Sequence, residues 1–391
     1  MLQDTGSAQD LPAAPRFGSR TVAEVLSSAA AVVGVPGFAN ALALPSARRV
    51  CVVMVDGLGQ SLLRQRAGHA PFLRGLASTG RTLSAAFPTT TAASLASLGT
   101  GLPPGRHGMV GYDVLDPEQD RVVNQLGGWD PGVDPAAWQP HPTVFERAEQ
   151  HVPTVTVSLP RFADSAMTRA ALRGGRFISA EGTHARVAAA AEALASEKSM
   201  LMYLYWNELD KAGHRYGCQS GRWGDQLEEL DGALRTLVRR VPADTLVVLT
   251  ADHGMLDVEA RHRYDFSADP ELVAGVRHTA GEPRMLHLYL EPDATEAHRD
   301  ALLAAWRRAY GSRAWILTRD QALAAGLFGA GVDPAVRPRI GDVLVAAREP
   351  IALFDTRRQP GTALEMVGYH GSLTRAEREV PLLTLAVPGR R

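Results

Sequence analysis

The chain of 391 residues has only two cysteines, Cys51 and Cys218. They exclude a disulfide framework and a four-thiolate zinc site, so a bound metal would have to be held by imidazole and carboxylate. There is also no excess of one charge: 41 Lys and Arg stand against 42 Asp and Glu. A surface that binds polyphosphate backbones usually carries a basic excess, and no nucleic-acid-binding surface is expected here. Long apolar runs are missing too. Residues 22–45 are largely apolar, but Glu24 interrupts the start, and Gly34, Pro36 and Gly37 break the run short of the roughly 20 residues of a membrane span. We read a short packed helix over Ala23–Val33, no membrane association and a cytoplasmic protein, with secretion as the alternative. Internal repeats, low-complexity tracts and charge blocks are absent as well.

What is present is the composition of an ordinary globular protein, 45% hydrophobic and 21% charged. The run Arg49–Val55 is apolar and β-rich and ends in Asp56-Gly57, the signature of a buried parallel strand. Further buried strands are expected at 152–159, 199–205 and 245–250, with helices at 61–79, 185–196 and 224–239. Strands alternating with helices imply an α/β fold, a mostly parallel sheet covered on both faces. Residues 261–340 differ in texture and read as a small α+β insertion or lid. That leaves 1–47 as an N-terminal extension and 48–260 with 341–391 as the core, which resumes with a strand at Asp342–Ala347.

In such sheets ligands bind beyond the carboxyl ends of the strands. Three strand ends carry suitable groups. The first delivers Asp56; another runs into Asn207-Glu208-Leu209-Asp210-Lys211-Ala212-Gly213-His214; a third delivers Asp252-His253-Gly254. Alone, Asp56 reads as a turn residue, and Asp210 with His214, four apart on one helical face, reads equally as a surface pair. Together, carboxylates concentrated at one sheet edge repel unless a cation compensates. Mixed carboxylate and imidazole ligands suit zinc, or less specifically manganese or iron, and a set this large suggests two divalent ions. A hydroxyl nucleophile is then expected nearby. In Phe87-Pro88-Thr89-Thr90-Thr91, small residues run at helical length from the threonines until Gly99-Thr100-Gly101, and a hydroxyl at that helix start faces unpaired N–H groups.

In this order the motifs resemble those of the alkaline phosphatase superfamily, and within it the type I phosphodiesterase and nucleotide pyrophosphatase branch, which includes phosphonoacetate hydrolase. The resemblance runs from about Arg49 to about Leu383. It implies an alkaline-phosphatase-like core, two metal ions, usually zinc, and a metal-bound threonine or serine that becomes phosphorylated. It places that nucleophile at Thr91, with Thr90 as the alternative register. It assigns Asp210, His214 and a late histidine, His370 in Tyr369-His370-Gly371, to one ion, and Asp56, Asp252, His253 and Thr91 to the other. From the residues alone His370 is a lone histidine in a glycine turn. The implied substrate is a small phosphate ester or nucleotide. Two departures concern that substrate. Ala93 and Ser94 stand where relatives commonly have Pro-Asn, and His107-Gly108 leads to Gly111-Tyr112 instead of an asparagine that contacts a phosphate oxygen. A Gly111 N–H or the Tyr112 hydroxyl would have to replace it. Phosphomonoester hydrolysis is the second expectation, phosphonate cleavage the third, and a non-catalytic metal-binding protein the alternative class. A monoester needs a further cation, for which Arg106, Arg161 and Lys211 are candidates, each read first as a solvated surface side chain.

Overall fold

A computed structural model describes residues 11–127, 129, 132–358 and 364–389. Its centre is a seven-stranded sheet. In chain order the strands are β1 (Arg49–Val55), β2 (Arg81–Ser84), β3 (Thr154–Ser158), β4 (Arg176–Ser179), β5 (Met200–Trp206) and β6 (Thr245–Thr250). A second sheet of four strands follows, β7 (Val276–Glu282), β8 (Met285–Leu290), β9 (Ala314–Thr318) and β10 (Val343–Ala347), before β11 (Glu379–Ala386) returns to the first. The large sheet runs β2-β11-β6-β1-β5-β3-β4. Its middle is parallel, and only β11 is antiparallel to its neighbours β6 and β2. The fold is thus the α/β class expected from the alternation of strand and helix.

Apolar residues on consecutive positions of β1, β5 and β6 are buried on both faces, which is why these strands read as unbroken hydrophobic runs. Helices cover both sides: α1 (Ala23–Val32), α2 (Thr91–Thr100), α3 (Thr183–Ser196), α4 (Glu208–Tyr216) and α5 (Gly221–Arg240) are the main ones, and α6 (Glu296–Tyr310) packs on the second sheet. Ser220 caps α5 by accepting the Trp223 N–H, as a helix that begins after a polar turn requires. No helix among the described residues is long and apolar enough to cross a membrane.

Two local expectations are corrected. Residues 61–79 do not form one helix but two short ones, Gln60–Gln65 and Pro71–Leu76, joined by a 3-10 turn at Ala67–His69. Pro71 has no N–H to continue the first helix and instead occupies the opening turn of the second. The strand expected to return the chain to the core at Asp342 pairs with β8 and β9 in the second sheet, which therefore extends through Ala347. Its alternate side chains Val343, Val345 and Ala347 complete the apolar cluster built around Trp306, and hydropathy alone does not tell one buried sheet from another.

Parallel register places the site. Val55 pairs with Trp206, and Met54 pairs with Thr250, so β1, β5 and β6 end level with one another. The Asp56 N–H still donates to the Trp206 carbonyl, 2.8 Å away. Whatever follows these three strands is brought to one edge.

Candidate metal centre and adjoining cavity

The three strand ends converge as the sequence suggests. Asp56, Asp252 and His253 present ligand atoms within 4.8 Å of one another, and so do Asp210, His253 and His370. His214 joins through Asp210, with its Nε2 3.3 Å from Asp210 Oδ1. His253 Nε2 lies 3.4 Å from Asp56 Oδ1 and 3.5 Å from Asp252 Oδ2. The six expected Asp and His ligands are therefore in one cluster, with His253 between the two groups. Gly57, in the left-handed region at φ +74°, lets the chain turn away from β1 where a Cβ would stand 3.2 Å from the Asp210 Cα and Cβ.

Each histidine is oriented in the same way. The Nδ1 of His214 faces the Gly368 carbonyl at 2.8 Å, that of His253 faces the Gly254 carbonyl at 3.0 Å, and that of His370 faces the Thr89 carbonyl at 2.8 Å. A carbonyl only accepts, so each Nδ1 carries the proton and each Nε2 keeps its lone pair for the cluster, an arrangement typical of imidazole metal ligands. His370 arrives from 281 positions away because its segment is strapped to the threonine segment. Thr89 donates its N–H to the Gly371 carbonyl at 3.0 Å, and its hydroxyl accepts the Gly371 N–H at 3.1 Å.

The carboxylates are short of partners. Asp56 Oδ1, Asp210 Oδ1 and Asp252 Oδ2 are buried with no hydrogen-bond partner, while the other oxygens of Asp56 and Asp252 are engaged. Asp56 Oδ2 accepts from the Tyr205 hydroxyl, and Asp252 Oδ1 accepts the N–H groups of Gly57 and His253. Burial, then repulsion from Asp252 and Asp210, raises the Asp56 carboxyl well above its ordinary range. Burial would raise Asp210 too, but the attraction of the His214 imidazole, with its Nε2 3.3 Å from Oδ1, outweighs it and holds this carboxylate below its usual value. His370 is pushed well down, first by burial and then by its neighbours His253 and His214. Three unpartnered carboxylate oxygens facing three available imidazole nitrogens are the donor set of hard to borderline divalent cations, and the residues fit such ions.

Thr91 opens α2 and points its Oγ1 to within 3.2 Å of His253 Nε2. Thr91 also lines a cavity of about 520 Å³ together with Asp56 and Asp210, whereas Thr90 is fully buried and absent from that wall. The two expected substitutes for the missing asparagine are not in the wall either. Gly111 packs towards Val114 and His287, and Tyr112 lies near Asn124 and Glu282; the side-chain amide in the wall is that of Asn207. Of the three candidate cations, Arg106 faces Asp333 at 3.9 Å outside the cavity, while Arg161 and Lys211 line it.

Two contacts were not read from the sequence. Tyr205 looked like a buried strand residue, and only the register shows its hydroxyl on Asp56. Glu282, at the end of β7, places Oε2 3.2 Å from His370 Nδ1, so the second sheet reaches beneath the cluster. No motif marks that residue.

A profile of the family "Type I phosphodiesterase / nucleotide pyrophosphatase" matches residues 50–373, which span β1, the Asp and His cluster and His370. Solved structures with the same fold include murine ectonucleotide pyrophosphatase / phosphodiesterase 5, an inactive threonine-to-alanine variant in complex with AMP. It is 16% identical with a TM-score of 0.69, over 88% of this chain and 89% of that one. The human counterpart is 17% identical with a TM-score of 0.65, over 88% of each chain. Phosphonoacetate hydrolase from Sinorhizobium meliloti 1021, in complex with phosphonoformate, is 20% identical with a TM-score of 0.68, over 89% of this chain and 92% of that one. No curated protein sequence matches the chain.

Proposed function

The chain belongs to the type I phosphodiesterase / nucleotide pyrophosphatase family, a family of metal-dependent hydrolases, and on that premise we propose that it hydrolyses phosphodiesters or nucleotide-type anhydrides through a covalent phospho-Thr91. The observation that carries the reading is the position of Thr91 Oγ1, at a helix start, on the cavity wall and beside the cluster of Asp56, Asp252 and His253. A threonine-to-alanine change is also what the AMP-bound murine structure describes as inactive in that protein.

Asp56, Asp252 and His253 would hold one divalent ion, and Asp210, His214 and His370 the other, zinc by preference, with manganese or iron as alternatives. When bound, such ions supply positive charge that favours the threonine alkoxide and neutralises the phosphoryl oxygens. The chain's own residues do the rest. Thr91 Oγ1 gives its proton to solvent and forms a bond to phosphorus as the bond to the leaving oxygen breaks, the leaving group departing as an alcohol or, from an anhydride, as a phosphate. Water then cleaves the bond between Thr91 Oγ1 and phosphorus, releasing the phosphate monoester and restoring the hydroxyl. The α2 N-terminus turns free N–H groups towards the phosphoryl group. The carbonyls of Gly254, Thr89 and Gly368 keep the three imidazoles in one tautomer throughout.

Thr91→Ala should lower the rate on bis(aryl) phosphodiesters by about a thousandfold or more, with Thr90→Ala far milder. Enzyme acid-quenched during turnover of such a diester should carry an aryl phosphoryl group on the Thr91 peptide by mass spectrometry. Full activity in Thr91→Ala, or in enzyme shown to be metal-free, would overturn the reading. Phosphonate cleavage is the second reading, favoured by the shared fold of phosphonoacetate hydrolase and the two cations in the cavity wall. A panel of aryl monoester, diester and phosphonate substrates separates them.

A further inference from the structure

The cavity beside Thr91 has walls of two kinds. Part of the lining is apolar, from Leu95, Phe162, Met167, Leu172 and Phe177. The floor is polar. Thr156 pairs in register with Tyr203, and the two-residue period of a strand turns Thr156 and Ser158 of β3 and Tyr203 of β5 to one face. Asn207 follows the end of β5. The Thr156 and Ser158 hydroxyls, the Tyr203 hydroxyl and the Asn207 side-chain oxygen are all buried, all on residues lining the cavity, and all without a hydrogen-bond partner. Buried hydroxyls are normally paired, so four unpaired groups around one void mark a place where a ligand's own polar groups complete them.

Arg161 and Lys211 belong to the same wall. Among the described residues neither has a carboxylate within ion-pair distance; the Arg161 guanidinium lies over the Phe162 ring, 4.7 Å from its centroid. Glu208, the nearest acid to Lys211 on its own helix apart from Asp210, is engaged by the buried Arg186. Two cations lining one cavity, neither in ion-pair contact with a carboxylate, favour an anion there.

We propose that this cavity selects the organic portion of the substrate as a hydrogen-bonding group that ends in a second anion, a carboxylate or a phosphate, held by Arg161 and Lys211. The scissile phosphorus would lie at Thr91, the hydroxyl or amide groups of the substrate on the Thr156, Ser158, Tyr203 and Asn207 floor, and the second anion at the two cations. This rests on the reading of Thr91 as the reacting end of the cavity.

The test compares three p-nitrophenyl alkyl phosphodiesters of equal length on the metal-loaded enzyme, ending in methyl, carboxylate or phosphate. An anionic end should raise kcat/KM about tenfold over methyl, mostly through KM, as expected of a charge-assisted contact at a partly exposed site. In the Arg161→Gln/Lys211→Gln double variant that ratio should fall towards one, while Arg215→Gln, an exposed cation outside the cavity, should keep it. Comparison of the carboxylate and phosphate arms identifies which anion is preferred. A ratio near one in the wild type, or an equal ratio in the double variant, would overturn the proposal. If no diester is hydrolysed, the proposed function fails, and the cavity is then read by calorimetry with the corresponding non-hydrolysable phosphonates, where the same tenfold difference in affinity is expected and its absence overturns the inference. Thr156→Val gives a second readout: weaker binding of hydroxylated than of plain alkyl phosphonates supports the polar floor, and equal binding of both argues against it.

Discussion

The residue that most exposes the chemistry of the site is Asp56. Its Oδ1 is buried without a partner, and its carboxyl is raised by burial and by Asp252 and Asp210. A raised folded-state value means the metal-free protein favours the protonated form. This contribution to stability is fully present below the ordinary value of 3.8 and is lost as pH rises through the raised one. Asp210 shifts the opposite way and contributes above its ordinary range, so the Asp56 effect is isolated by substitution. Metal-free Asp56→Asn should therefore gain stability over metal-free wild type as pH rises above the ordinary carboxylate value of 3.8, measured by urea denaturation at an acidic and a neutral pH. The same variant should lose most of the increase in Tm that zinc gives the wild type. A metal-free Asp56→Asn that is no more stable than wild type at either pH would contradict this account. Asp56, Asp210, His214, Asp252 and His253 were legible in the sequence because strand ends are legible. Tyr205, Thr156 and Glu282 were not, because a hydroxyl or carboxylate on a strand gains its partner only from the register of the next strand.

At the scale of elements, α2 depends on close approach. Its small residues are fully buried, and Gly99 stands where a Cβ would meet the Ala171 carbonyl oxygen at 1.8 Å and the carbonyl carbon at 2.8 Å. Such contacts are with backbone and cannot be relieved by a rotamer change. Gly99→Ala should cost about 2–3 kcal/mol in chemical denaturation and, by displacing the helix that opens on Thr91, should lower kcat more than it raises KM. The small-residue run was legible as a helix, whereas the helix Ala166–Ala171 that it packs on was not among the sequence-read elements. Strand limits were read well where hydrophobic runs are long: β1 and β6 have the expected bounds, and β5 is displaced by one residue. Residues 61–79 read as one helix because helical periodicity continues across Pro71, but the backbone N–H supply does not.

Across the whole molecule, the second sheet is fastened to the core by a fully buried ion pair. Arg284, in the β7–β8 turn, donates to both oxygens of Glu377 at 2.7 and 2.8 Å and to the carbonyls of Glu349 and Ile351. Glu377 in turn accepts the Ser372 N–H, two residues past His370. Arg284→Met should destabilise the protein by about 3–5 kcal/mol because it leaves Glu377 buried without its partner. Replacing both, as Arg284→Met/Glu377→Leu, should recover part of that loss, and the metal affinity of the single variant should fall along with its Tm. Equal stability of single variant and wild type would show that the pair does not couple the two sheets. The sequence by itself determined the fold class, the balance of charge, the exclusion of a four-thiolate zinc site and the residues at the strand ends, because hydrophobic period and residue type are local properties. Only the tertiary structure decided that β10 joins the second sheet, that His370 reaches the cluster through Thr89, that Thr91 and not Thr90 faces the cavity, and that Arg161 and Lys211 line one wall with it. Each of these depends on which distant segments are packed together, and spacing along the chain carries no record of that.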